Sequence, residues 1–537
     1  MSEALYPPEP ETCAVWRMRL LSAAVLLLLV AYTPLSRTQE ARVLECAREM
    51  YDRPISQWAV PRLNGEVRLH KPPLAYWLAA GSFRLFGVST WSGRLPFALA
   101  AWVTLAIVHD LGRRLGGAQT GMLSGGIMLS MLMFQRYGRL AETDPLVLLW
   151  LTLAMYALVR AALIENRIAW WWHHVSAAAM AATAMSKGPP AVFVLMFVPC
   201  AAWAAGRRRL VLHWLASGAP LTAAVLGLPW WIFALSHPAA QTLAREASDL
   251  ATGRDHGGYF YEPLGYVLKA TLPWTALLGA AAWTAWHSRR TTLARLTAVW
   301  SAAIVIVHMF LPQKQEHYLL PVLPPLALLG GWGWNICLRS GDRRKRFCAA
   351  VVGASLAAVC IGAAVVVVLA TRTSGRLPVL AAALAAPAVA ALVFAMVRAY
   401  RAAGDGLSVE AAIASAALAT AAITGASAAS DRHTMADVAS AFRQRCGDGP
   451  YAFYAIDSVP LIFEMRRTIP LCEDERSLLE AARRNPQLAV ICETNREQSR
   501  TPPPPFVPET TLTLRKKKIA VYRIPESQRA VWQIPPP

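Results

Sequence analysis

Charge is what this sequence has least of. Only 16% of its 537 residues are Asp, Glu, Lys or Arg, where soluble domains carry about a quarter, so a water-soluble globular chain of this length is excluded. Acid is scarcer than base, 33 residues against 53, for a formal net charge of +20. The nine cysteines include no C-x-x-C pair, which removes a zinc knuckle or a dithiol redox centre. No internal repeat and no row of charges in the middle of an apolar run is found. Both would mark a lipid or sugar transporter or flippase, the alternative from another functional class. The apolar run after Arg17 and Arg19 has no small-residue cleavage site, so it reads as a retained first span and not as a removed signal peptide.

What fills the chain instead is apolar, 55% of residues with 20 tryptophans among them. Runs of about 20 apolar residues, the length that crosses a bilayer, recur from Leu20 to Ala429. The fold class expected is therefore an all-α polytopic membrane protein. About thirteen spans fit, near 18–36, 91–112, 117–135, 144–163, 169–186, 189–205, 212–235, 264–286, 293–312, 318–337, 347–371, 377–397 and 408–429. The surplus of base could indicate nucleic acid. It sits, however, in short clusters between apolar runs, such as Arg113-Arg114, Arg207-Arg208-Arg209 and Arg343-Arg344-Lys345-Arg346. These are orientation signals, which place alternate loops and the lead 1–16 in the cytoplasm. No nucleic-acid partner is expected. The remaining loops and the tail after residue 430 then face out of the plasma (inner) membrane.

Those outward loops and the span ends beside them hold the unusual chemistry, including Glu40, His70, Lys71, Arg136, Arg139, Glu142, Asp144, Lys187, Arg254, His256 and Tyr318. Ionisable groups at span ends cost free energy unless they meet partners or line a wet cavity, so their concentration on one side marks a functional site by default. Within the outer loop 37–90, residues 39–50 place Val43, Leu44, Ala47 and Met50 at helical spacing. Residues 74–86 make a second helix, too short to span and suited to the interface. Between them Arg68-Leu69-His70-Lys71-Pro72-Pro73 forms a stiff, extended segment, because proline fixes its own φ and biases the residue before it. A cation on such a segment serves equally as an interface anchor or as a ligand for an anion.

The chain divides into a membrane unit over 17–430 and a small outward α/β domain over 431–537. Strands are expected near 451–457, 488–493 and 519–524, helices at 435–445 and 475–484, and a proline-rich extended connector at 501–508. Cys446, Cys472 and Cys492 fall in this domain, where an oxidising compartment would allow one disulfide. It contains no nucleophile motif or phosphate loop, so a structural or acceptor-shaping role is expected.

Six stretches occur in order: QEARVLECAREM at 39–50, LHKPPLAYWL at 69–78, GRLPFALAAW at 93–102, ETDPLVLLW at 142–150, SKGPPAVFVL at 186–195 and KQEHYLLPVLPPLALL at 314–329. Together they resemble the C-type glycosyltransferases that use polyprenyl-phosphate sugars, which include the bacterial aminoarabinose lipid A transferases and protein O-mannosyltransferases. The resemblance covers residues 18–345 well and the rest by architecture. It implies the C-type glycosyltransferase fold. It also implies transfer of a hexosyl or pentosyl unit, with inversion, from an undecaprenyl-type phosphate to a lipid, glycan or protein acceptor outside the membrane.

Such chemistry needs a base for the acceptor hydroxyl and cations for the departing phosphate. By the resemblance, Lys71 matches a lysine that meets the donor phosphate, and Tyr318 a tyrosine that approaches it. Arg136, Arg139 and Arg254 are further cations on the same face. The family's Asp-Glu pair after the first span reads Gln39-Glu40 here, and glutamine takes no proton at working pH. The base is then expected at Glu40 first and at Asp144 second, which matches a family aspartate, with Glu142 beside it. Capping of the following helix is the competing job for Asp144. The missing carboxylate also leaves open a catalytically degenerate paralogue. His70 stands where some relatives place a metal-binding carboxylate, and His256 lies near a family histidine. Zinc is the metal such imidazoles would suit, satisfied interfacial histidines are the other reading, and no cofactor is required by the chemistry.

Overall fold

The computed structural model describes residues 10–35, 37–164, 168–252, 257–339, 342–374, 385–391, 393, 406–428, 434–493, 500–514 and 517–532. The chain begins with α1 (Pro10–Tyr32), α2 (Thr38–Tyr51), the hairpin β1 (Arg62–Leu63) and β2 (Glu66–Val67), α3 (Leu74–Phe86) and α4 (Thr90–Gly116). There follow α5 (Ala118–Ser130), α6 (Leu132–Tyr137), α7 (Thr143–Leu163), α8 (Ile168–Ser186), α9 (Val192–Ala205), α10 (Arg209–Ala216), α11 (Ala219–Ser236) and α12 (Gln241–Thr252). The bundle continues through α13 (Glu262–Ala270), α14 (Thr275–His287), α15 (Thr292–Phe310), α16 (Leu323–Arg339) and α17 (Asp342–Ser374), against which the helix Gly406–Ala428 packs. Among the described residues six stretches are long and apolar enough to cross a membrane: α4, α7, α11, α15, Glu316–Arg339 and Ala350–Val368. The expected span 377–397 lies largely outside the described residues.

Several spans that read as continuous are broken. The run 117–135 stops at Met131, whose backbone is extended, and restarts as α6. The run 264–286 divides into α13 and α14 around Pro273, and 318–337 opens with a 3-10 segment, Glu316–Val322, that contains Pro321. Proline supplies no backbone N–H, which accounts for the last two. The first two breaks satisfy one another. The amide of Leu132 donates to the carbonyl of Leu272 at 2.9 Å, and Trp274 Nε1 donates to Ser130 Oγ at 2.8 Å. Inside a bilayer no water is present to take these groups, so each must find a partner in a neighbouring helix.

α5 packs between α4 and α16 through residues without bulk. A Cβ on Gly112 would lie 3.0 Å from the Cα of Gly121, and one on Gly331 would lie 2.6 Å from the backbone nitrogen of Ser124. Small residues at such crossings let backbones approach where no hydrophobic effect drives helices together.

The C-terminal domain is a five-stranded sheet, ordered β4 (Leu471–Cys472), β3 (Tyr451–Tyr454), β5 (Ala489–Glu493), β7 (Lys517–Arg523) and β6 (Val507–Leu514). β3 runs parallel to both β4 and β5, while β7 is antiparallel to β5 and β6. Side chains alternate between two apolar layers, Phe453, Ile491 and Val521 on one face and Ala452, Val490 and Ala520 on the other. β6 takes over the end of the expected proline-rich connector. Pro508 is tolerated there because the strand is an edge and bulges at that point. The expectation of a disulfide is corrected: Cys446, Cys472 and Cys492 are all free thiols. Cys446 packs on the opposite face from the other two. Cys472 and Cys492 stand on β4 and β5 with β3 between them, about 9.6 Å apart by strand spacing, beyond the reach of an S–S bond.

This domain docks on the α2–α3 platform. Asn64, held at φ +55°, exchanges two hydrogen bonds with Ile469 (Nδ2 to O at 2.7 Å, and Oδ1 from N at 2.8 Å). The rings of Phe83 and Phe463 stack at 6.4 Å.

The glycine crossing yields a first prediction. Gly331→Val should cost about 1–3 kcal/mol by overpacking and lower the thermal midpoint in detergent. Gly353→Val, where a Cβ meets open space, should leave it unchanged. Equal midpoints for the two variants would refute the close α5–α16 packing.

Candidate active site

The periodicity that predicts α2 also decides what its polar residues do. Gln39 is exposed, and Glu40, one position on, turns inward to 1% exposure. There it meets Arg94 of α4 in a fork, Nε to Oε1 at 2.7 Å and Nη2 to Oε2 at 2.8 Å. Glu40 Oε1 also accepts from the amide of Ala141 at 3.1 Å, and Arg94 Nη1 donates to Thr33 Oγ1 at 2.9 Å. Burial alone would push the Glu40 carboxyl up, but the Arg94 charge and its hydrogen bonds outweigh it and hold the group below the ordinary range. Arg139 is buried beside this pair and donates to the carbonyl of Gln135. Burial, with Arg94 close by, pulls its guanidinium down to about 9.

Three residues past Arg139, Glu142 binds Arg37 at 2.6 Å. Burial raises its carboxyl more than that pairing lowers it. Arg37 lies over the ring of Tyr137 at 4.9 Å, and the Tyr137 hydroxyl donates to Glu316. Glu316 also binds Arg136 and Lys269, each at 2.7 Å. Arg136 is therefore engaged at the half-exposed rim.

Past these pairs opens a cavity of about 640 Å³. Its walls are apolar, formed by Val147, Phe193, Trp231, Leu235, Leu243, Val307 and Leu311, and its polar groups include His70, Lys71, Asp144, Lys187 and Tyr318. Asp144 stands in the first turn of α7. Its Oδ1 accepts from Lys187 Nζ at 2.6 Å, and that ammonium lies 4.0 Å from the centre of the Tyr318 ring. Burial would lower the Lys187 ammonium, but the Asp144 carboxylate outweighs it and holds the group above the ordinary lysine range. The Tyr318 hydroxyl donates to Gln313 Oε1 at 3.2 Å.

The structure thus brings His70, Lys71, Asp144 and Tyr318 into the lining of one cavity. Glu40, Glu142, Arg136 and Arg139 are not among the residues lining it, and Arg254 and His256 lie outside the described residues. Lys187 completes the wall. Its signal was present in the sequence, as an outward-loop lysine in Ser-Lys-Gly-Pro-Pro, but its partner was not. As for metal, no group of three or more His, Cys, Asp or Glu able to hold an ion occurs among the described residues. His70 has Lys71 beside it on the wall, and that cation opposes a second one.

Arg94→Met should cost about 3–5 kcal/mol of stability, the penalty for stranding a buried charge. Adding Glu40→Leu should recover a large part of it, since an apolar replacement for both partners is often neutral. Unfolding in detergent reads both effects. A native melting point for Arg94→Met would contradict the pairing.

Residues 70–233 match the family described as dolichyl-phosphate-mannose-protein mannosyltransferase. The chain is 28% identical over 324 residues to an undecaprenyl phosphate-alpha-4-amino-4-deoxy-L-arabinose arabinosyl transferase of Pectobacterium carotovorum, over 57% of this chain and 56% of that one. The transferase of the same description from Aeromonas hydrophila is 28% identical over 346 residues, 62% of each chain. The chain spans a little over half the length of the first of these relatives. Among solved structures, ArnT from Cupriavidus metallidurans bound to undecaprenyl phosphate superimposes with a TM-score of 0.75 at 18% identity, over 98% of this chain and 100% of that one. Sequence match and fold agree, and the chain is a multi-span membrane protein of the C-type glycosyltransferase fold, similar to the polyprenyl-phosphate-sugar transferases of the aminoarabinose type.

Proposed function

We propose that this protein is an integral membrane glycosyltransferase. It moves a hexosyl or pentosyl unit, with inversion, from an undecaprenyl-type phosphate to a lipid, glycan or protein acceptor on the outer side of the plasma (inner) membrane. Residues 17–430 are the catalytic membrane unit, and 431–537 form an outward domain that braces α2 and α3. The observation that carries the reading is the two-sided character of the cavity. Its aromatic and aliphatic walls suit a polyprenyl tail, and its polar wall sets Lys71, Tyr318 and Asp144 together. That a similar fold has been crystallised with undecaprenyl phosphate supports the same ligand class.

In this reading Lys71 meets the donor phosphate through a charge-assisted hydrogen bond, and Tyr318 stands beside it. The acceptor oxygen attacks the anomeric carbon from the opposite face, the bond from that carbon to the phosphate oxygen breaks, and a carboxylate takes the acceptor proton. A base must reach the proton it removes. Among the described residues Asp144 is the carboxylate that lines the cavity, whereas both oxygens of Glu40 are held by Arg94. The order expected from sequence is thereby reversed, and Asp144 is the proposed base. Glu40, Glu142, Arg136 and Arg139 build the frame around it. The reading requires no cofactor.

Purified protein supplied with a polyprenyl-phosphate sugar and envelope-lipid acceptors tests this. Lys71→Met should slow donor use by about one to two orders of magnitude, the equivalent of about 1.5–3 kcal/mol. Asp144→Asn should lower turnover about 10²–10⁴-fold. Native rates in both would end the assignment. Transfer by Gln39→Asp where the native chain transfers nothing would identify a degenerate paralogue.

A further inference from the structure

Lys187 has no role in the reaction described so far, yet it touches the proposed base and faces the same cavity. Its backbone is fixed. The Lys187 amide donates to the carbonyl of Thr183 at 3.0 Å. Gly188 comes next at φ +85°, packed so that a Cβ there would sit 2.8 Å from the Trp231 ring. Only glycine fits that close approach at positive φ, and Pro189-Pro190 stiffen the turn into α9. Only the four-carbon stem is left to move. Its ammonium rests between two seats, the Asp144 carboxylate at 2.6 Å and the Tyr318 ring at 4.0 Å.

Charge counting sharpens this. Of the described residues lining the cavity, Lys71, Lys187 and Asp144 carry formal charge at neutral pH, a surplus of one positive charge. A sugar phosphodiester brings one negative charge and balances it. When the reaction is complete, the leaving polyprenyl phosphate is a monoester of nearly two negative charges, since such groups lose their second proton near pH 6. Asp144, having taken the acceptor proton, is then neutral. The sum is again zero. In a site of low effective dielectric such a balance matters, because an uncompensated charge is costly there.

We propose that Lys187 is the second phosphate cation of this site, that it is parked on Asp144 while the lipid phosphate is absent, and that it passes to the phosphate as Asp144 becomes the base. A carboxylate held by an ammonium at 2.6 Å is a poor proton acceptor, so the transfer of Lys187 arms the base only when donor is present. It also stabilises the new charge on the leaving oxygen. Atoms and charges balance as in the proposed reaction. The anomeric C–O(phosphate) bond breaks, the acceptor O–C bond forms, the proton goes to an Asp144 oxygen, and Lys187 follows the charge from one anion to the other. This inference rests on the glycosyltransferase reading.

The test is equilibrium binding of undecaprenyl phosphate to full-length protein in nanodiscs, with transfer measured alongside. Lys187→Met should bind this monoester about ten- to one-hundredfold more weakly. Asp144→Asn, slowed in transfer, should bind it several-fold more tightly than native, because Lys187 is no longer held by a carboxylate. The double variant Asp144→Asn/Lys187→Met should lose that gain, and it leaves no unpaired buried charge if Lys187→Met alone fails to fold. A merely structural ion pair predicts that any gain in Asp144→Asn, which removes an anion from the cavity, persists in the double variant. If that variant binds no more tightly than native, or Lys187→Met binds equally well, the hand-over is overturned while the glycosyltransferase reading stands. If the native protein neither binds the lipid phosphate nor transfers sugar, both are overturned.

Discussion

The ion pair between Glu40 and Arg94 is the constraint on which the site depends. Each partner is 1% exposed, and removing two charges from water to that extent is expensive. The cost is offset only because the fork is bidentate and the remaining polar atoms are used, Arg94 toward Thr33 and Glu40 toward the amide of Ala141. Through these bonds one side-chain pair ties the end of α1, the first turn of α2, the α4 span and the residues that open α7. Asp144 lies three residues past Ala141. Its place on the cavity wall is inherited from that pair.

The cavity and the residues around it continue the same pattern. A few charges sit in apolar surroundings, each within reach of an opposite one. Asp144 meets Lys187 at 2.6 Å, Glu142 meets Arg37 at 2.6 Å, and Glu316 collects Arg136 and Lys269 at 2.7 Å. Where a low-dielectric wall meets a cation, attraction for a phosphate is stronger than it would be in water. The apolar walls beside these groups suit a polyprenyl chain, which exchanges lipid for an equally apolar protein surface.

Much of this was legible in the residues. The apolar side of 39–50 and the short apolar run 74–86 give α2 and α3 closely, because periodicity reports burial directly. The expectation that polar span ends converge holds for Lys71, Asp144 and Tyr318. The breaks were less visible. Residues 117–135 contain no proline, and the interruption at Met131 depends on a carbonyl at Leu272, far along the chain. The different surroundings of Glu40 and Asp144 were hidden for a similar reason. On a helix, adjacent residues point about 100° apart, and what Glu40 faces is decided by Arg94, 54 positions away. Lys187 stood in plain sight in its proline-rich turn, but only the fold sets it on Asp144. Long-range pairing is the part of the chemistry that local pattern does not carry.

The central claim is that the cavity receives a lipid phosphate, headgroup at Lys71 and tail along Phe193 and Trp231. The most direct measurement is photocrosslinking with a polyprenyl phosphate that carries a diazirine in its first isoprene units, followed by peptide mapping. The account predicts labelling within 187–193 and 230–244, suppressed by excess unlabelled undecaprenyl phosphate. Labelling confined to the outward face of α14 or to the C-terminal sheet, with those two stretches untouched, would contradict it.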